Sequence, residues 1–136
     1  MKVNLKKINN FFSKTQIEGL KDFIKFLNQE LPLSHDVNIF FEKVRVKPMT
    51  TGTRLSKHNI HILAEDRLLI DIMRTLAHEW VHEFQHQKMG LKDTEPIQDI
   101  GGPEENMANV LAGIFLKAFV KKFPHHEKVL YHEDEY

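Results

Sequence analysis

The chain has 136 residues, 41% of them hydrophobic, and its nineteen basic and nineteen acidic side chains cancel to a formal charge of zero. That length supports one domain with a real core and is too short to expect two, and the balanced charge leaves no broad electropositive face to collect phosphate backbones, which argues against nucleic acid as a partner. Cysteine is absent while histidine occurs nine times, so disulfides, thiolate metal sites and a thiol nucleophile are excluded, and any metal has to be held by His, Asp or Glu.

The opening "MKVNLKKINNFF" is basic but runs into asparagines and a short aromatic pair, unlike the apolar stretch of a signal peptide. No apolar run nears the roughly 18 residues of a membrane span, so a soluble, cytoplasmic protein with no membrane partner is expected. Residues 13–31 set Ile17, Leu20, Phe23, Ile24, Leu27 and Leu31 at helical intervals, behind either Ser13 with Gln16 or Thr15 with Glu18 as a capping box, and Pro32 stops the helix. Val37, Ile39 and Phe41 then alternate with polar neighbours, and Val44 and Val46 resume one residue out of phase, which predicts a bulged strand or two short ones. "KPMTTGT" reads as punctuation.

"HNIHIL", residues 58–63, alternates again, with Ile60 and Ile62 inward and Asn59 and His61 outward, so a further strand is expected. Asp66 is the expected cap of a long helix from Arg67 to about Met89, in which Leu69, Ile72, Met73, Leu76, Trp80, Val81 and Phe84 recur every three or four positions until Gly90 ends it. A loop closing on Gly101, Gly102 and Pro103 leads into a helix over 104–122, ended by Pro124. The last stretch, "HHEKVLYHEDEY", reads as a polar, charged tail. The expected fold is α+β in a single domain spanning 1–136: a small mixed or antiparallel sheet packed against an N-terminal helix, a histidine-bearing helix and a C-terminal glutamate-bearing helix.

The stretch "TLAHEWVHEFQHQ", residues 75–87, carries the chemistry. His78 and His82 are four apart on a helix, so their imidazoles project one turn above the other and can share an ion. Glu79, one step round, can lie beside an open coordination position and hold a water. The plain alternative is a helix face with two surface histidines. His86 extends the stripe but lies roughly 12 Å along the axis from His78 at about 1.5 Å per residue, whereas two nitrogens on one zinc are at most about 4.2 Å apart. It therefore reads as solvated or substrate-facing. Glu83 could orient a ligand, but a solvated face is the preferred reading.

Three protein ligands and an open position are usual for hydrolytic zinc, so a third donor is needed downstream. In "GGPEENMANVLAG", Glu105, Ala108, Asn109 and Ala112 share one helix face, whose small residues let a short-stemmed carboxylate approach the histidine helix. Asn109 could support a ligand or the adjoining backbone. Ordinary packing at the alanines is the bland alternative; the upstream motif tips the balance to Glu105 as ligand. Glu104, about 100° round the helix, is the competitor.

His78, Glu79, two residues and His82 form the HExxH signature of zinc peptidases, and the chain resembles the zincin superfamily. Together with Glu105, two residues, Ala108, Asn109, one residue, Leu111 and Ala112, it is most similar to the ImmA/IrrE-type metallopeptidases over about residues 60–120. It departs from that family in its small size, its own N-terminal helix and the lack of a recognisable helix-turn-helix. The resemblance implies a minimal zincin-like domain, one Zn2+ per chain on His78, His82 and Glu105, Glu79 as general base, and a peptide or protein substrate lying along an edge strand, for which residues 58–63 are the expected segment. Tyr131, His58, His61 and His132 are candidates for an oxyanion donor. The rival readings are a non-catalytic zincin-fold peptide-binding or regulatory module with a retained ion, and a metal-free helical adaptor.

Overall fold

The computed structural model of the protein describes residues 1–45, 52–90 and 102–131. Along them run β1 (Val3–Lys6), α1 (Lys14–Glu30), β2 (Val37–Glu42), β3 (Gly52–Ser56), β4 (Asn59–Leu63), α2 (Leu69–Lys88), α3 (Pro103–Lys122) and α4 (Glu127–Tyr131), with short 3-10 turns at Ile8–Asn10 and Pro124–His126. The architecture is α+β with a small mixed sheet in the order β1-β2-β4-β3, in which β2 pairs in parallel with β1 and β4 while β3 is antiparallel to β4.

Period-two alternation gives this sheet one apolar face. Val37, Ile39 and Phe41 of β2 and Ile60 and Ile62 of β4 are all 0% exposed, and they share a core with Leu20, Phe23 and Leu27 of α1 and with Ile72, Met73, Leu76 and Trp80 of α2. Each large side chain so buried contributes about 1.5–3 kcal/mol. The opposite face is polar and half-buried: the Asn4 amide donates to Asn38 at 3.0 Å and the Asn38 amide to Asn59 at 2.9 Å, a rung across three strands. His61 lies on that face, stacked on Phe40 with ring centroids 4.5 Å apart.

At the start of α1 the capping box is the Ser13 and Gln16 pair: the Ser13 hydroxyl accepts from the Gln16 amide at 3.2 Å and Gln16 Oε1 accepts from the Ser13 amide at 2.9 Å. Beyond the other end of α1, the buried Trp80 indole donates to the Leu31 carbonyl at 2.9 Å, tying α1 to α2 with a hydrogen bond inside the core. Gly102, at φ 87°, precedes Pro103 at the first turn of α3. A glycine suits that left-handed approach and a proline suits the position after it. The buried stripe of α3 consists of Ala108, Ala112, Leu116 and Phe119, and its small members bring α3 close against α2.

Several expectations are corrected. The predicted bulge or second strand at Val44 does not form: β2 ends at Glu42, where its partner β4 ends at Leu63, and Val44 is 71% exposed; Val46 lies outside the described residues. Two strands escaped the pattern, β1 with its four residues and β3 at the end of what reads as punctuation. Asp66 is not a helix cap. It takes a left-handed turn at φ 57°, and α2 begins at Leu69 after Arg67 has bonded back to the Leu63 carbonyl at 2.9 Å and forward to that of Asp71 at 3.1 Å. The stretch after Pro124 is not merely a polar tail, since His126 and Leu130 are 2% and 0% exposed. No described helix is long and apolar enough to cross a membrane.

Candidate metal centre

Because α2 is an unbroken helix, His78 and His82 stand one turn apart with ring centroids 4.6 Å from each other and planes at 90°. Glu105 reaches them from the first turn of α3. Nε2 of His82 is 2.9 Å from Glu105 Oε1, and Nε2 of His78 is 3.0 Å from the same oxygen and 3.1 Å from Oε2. The carboxylate therefore bridges both imidazoles. Glu104 does not: its main-chain carbonyl instead accepts the Gln85 amide at 3.0 Å.

The far side of each ring is also occupied. Nδ1 of His78 lies 2.9 Å from Glu79 Oε2, and Nδ1 of His82 lies 2.8 Å from Gln85 Oε1. Because the Gln85 amide nitrogen is spent on Glu104, its oxygen is the atom presented to His82, so Nδ1 of His82 must carry the hydrogen. A carboxylate at Nδ1 of His78 demands a hydrogen there too. With both Nδ1 hydrogens committed, neutral imidazoles turn two Nε2 lone pairs toward the Glu105 oxygens, acceptor facing acceptor at about 3 Å. Only a proton or a cation between them relieves that arrangement.

Two imidazole nitrogens and one carboxylate are a fitting set for zinc, and at bond lengths near 2.1 Å tetrahedral donors lie about 3.4 Å apart. The two spacings to Glu105 Oε1, 3.0 Å from His78 and 2.9 Å from His82, fall a few tenths of an ångström short of that. Burial pushes the His78 pKa down, but the neighbouring Glu79 and Glu105 carboxylates outweigh it and hold His78 above the ordinary imidazole value.

Glu79 is 6% exposed and His82 4%. One Glu79 oxygen lies within 4.8 Å of a ring nitrogen of each histidine, and its Oε2 meets His78 at Nδ1. β3 closes over it at Gly52, where a Cβ would stand 3.1 Å from Glu79 Cγ and 2.5 Å from the Thr75 methyl.

His86 is half-buried and takes no part in the cluster of His78, Glu79 and His82 on this helix. Glu83 corrects the reading of a solvated face: it is 0% exposed, bonded by His58 Nδ1 at 2.6 Å and by the Gln87 amide at 2.5 Å. It braces the β3–β4 turn through His58. Asn109 is exposed, off the face that Ala108 and Ala112 bury. Of the oxyanion candidates, His58 is committed to Glu83, His61 sits on the other face of the sheet beside Glu42 at 3.2 Å, Tyr131 is 48% exposed on α4, and His132 lies outside the described residues. Residues 58–63 cannot serve as the edge strand, because β4 is paired on both sides; β3 is the edge.

Gln85 and Gly52 are the site residues that sequence reasoning missed. Gln85 carried a signal, standing three positions after His82 on the same helix face; Gly52 carried none, since its contact with Glu79 depends on the fold. No family model, curated protein or solved structure matches the chain.

Proposed function

We propose that the chain is a small zinc-dependent peptidase of the zincin type, with His78, His82 and Glu105 as metal ligands. What carries this reading is the orientation of the two rings, whose Nε2 atoms converge on Glu105 while Glu79 and Gln85 hold their Nδ1 atoms. Zinc bound there supplies Lewis acidity and a water whose pKa falls from about 15.7 towards 7.

The protein's own groups do the rest. Glu79 accepts the proton of the attacking water and passes it to the leaving amine. Burial under β3 keeps that carboxylate close to the histidines, and the Gln85 bridge from His82 to the Glu104 carbonyl locks α3 in place so that Glu105 stays in register. The substrate backbone adds to β3, the edge strand beside α2, by the main-chain hydrogen bonding that any extended peptide can make.

One observation favours a second reading, a zincin-fold peptide-binding or regulatory module that keeps its ion without hydrolysis. Glu79 is hydrogen-bonded to His78 at 2.9 Å, an arrangement that orients a metal-bound imidazole and serves a purely structural ion equally well. Glu79→Gln separates the two. Assayed on unfolded proteins and a peptide library with and without chelator, the wild type is expected to cleave only with metal, and the variant to keep its zinc and lose cleavage. A wild type that holds zinc and cleaves nothing while binding peptides supports the module; an active Glu79→Gln refutes the assigned role of Glu79.

A further inference from the structure

We infer that Asp22, His125 and His126 form a second site for a first-row divalent cation, which fastens the C-terminal segment to α1. Neighbouring residues in a 3-10 turn project about 120° apart, yet the rings of His125 and His126 come together with centroids 4.1 Å apart. Both histidines thus turn toward the same place, and Asp22 of α1 faces it.

His126 is 2% exposed and its orientation is fixed. A Cβ at Gly19 would stand 3.6 Å from its Nδ1, and the Phe119 ring lies parallel to it at 9°, with centroids 6.1 Å apart. That leaves Nε2 as the nitrogen presented outward, 2.8 Å from Asp22 Oδ2. One donor atom from each of the three residues lies within 4.8 Å of the other two. An ion with bonds near 2.1 Å needs donors about 3.0–3.4 Å apart. The Asp22 to His126 pair opens slightly to admit it, giving up the proton they share, and the exposed His125 side chain, already within 4.8 Å, closes the remaining distance.

Two imidazoles with one carboxylate select zinc, cobalt or nickel over magnesium or calcium, which take oxygen shells. Water completes the coordination. The ion would join positions 22 and 126, 104 residues apart in the sequence, a long loop whose closure restrains the unfolded chain. The segment it fastens includes Leu130, 0% exposed, on a helix packed against both α1 and α2.

Zinc titration of four proteins in chelator-buffered solution, with hydrogen exchange of residues 124–131, tests the site independently of the first. The wild type is expected to bind two equivalents, His125→Ala one, Glu105→Ala one, and the double variant none. In Glu105→Ala, zinc should protect residues 124–131 from exchange, and in the double variant it should not. His125 is exposed, so its removal leaves the fold intact. If the first site takes no metal, the wild type still binds one equivalent that His125→Ala alone abolishes. A His125→Ala protein that retains every equivalent of the wild type, or zinc that leaves exchange in 124–131 unchanged in Glu105→Ala, overturns the inference.

Discussion

Gln85 Oε1 accepts the Nδ1 hydrogen of His82 at 2.8 Å, and the same side chain donates to the Glu104 carbonyl at 3.0 Å. One amide thereby fixes the tautomer of a proposed ligand and the approach of the helix that brings another. Gln85→Leu keeps the volume and removes both bonds. Loss of such a supporting partner typically costs 10–100-fold in metal affinity, and that range is expected in a competition titration against a chelator. Unchanged affinity would show that the bridge orients nothing.

The bridging position of Glu105 separates it from its neighbours. Glu105→Ala is expected to weaken zinc binding at the α2–α3 centre by more than the roughly 100-fold of a lost supporting partner. Glu104→Ala keeps the main-chain acceptor that Gln85 uses, and His86→Ala removes a ring outside the cluster, so both should stay near wild-type affinity. The three titrations read together are decisive: a large loss in Glu104→Ala with Glu105→Ala unaffected would exchange their roles.

Gly52 is a steric requirement of the site. A methyl there would stand 2.5 Å from Thr75 Cγ2 and 3.1 Å from Glu79 Cγ, so Gly52→Ala forces β3 off the helix or displaces Glu79. Overpacking of this kind costs about 1–3 kcal/mol, visible as a lower Tm. Thr75→Ser deletes the closer methyl but keeps the hydroxyl that accepts from Arg67 at 2.9 Å. The double variant should therefore recover much of the loss. Additive destabilisation by the two substitutions would count against this packing.

The His78 pKa stands above its ordinary value in the folded protein because the Glu79 and Glu105 carboxylates outweigh burial. A raised folded-state pKa contributes stability that is fully present below the unfolded value and is lost as pH rises through the folded one. In chelator, the Tm advantage of wild type over His78→Gln should shrink as pH climbs from about 6.5. Zinc acts with the opposite sign, since it replaces that proton, so the Tm gained on adding zinc should grow over the same interval. A chelated wild type whose advantage over His78→Gln widens with pH would reverse the assignment.

What the sequence made legible was local. Ser13 and Gln16 announce the start of α1 three residues apart, and His78, Glu79 and His82 meet because a helix turns every 3.6 residues. Glu105 was legible at longer range only through its setting, a carboxylate on a face with Ala108 and Ala112. Pairing and burial were not. β4 alternates as an edge strand would, and nothing in its own residues tells that β3 covers its outer side. Glu83 has the composition of a solvated position, and only the arrival of His58 from the β3–β4 turn makes it a buried one. Leu130, in a polar setting, packs because the Pro124–His126 turn directs the chain back onto α1.

The proposed centre joins one ion to three side chains. Anomalous diffraction at the zinc edge from crystals of the zinc-loaded protein tests it most directly. A peak is expected about 2.0–2.2 Å from Nε2 of His78, Nε2 of His82 and a carboxylate oxygen of Glu105. A loaded crystal with no peak between α2 and α3, or with an ion there that Glu105 does not touch, would contradict it.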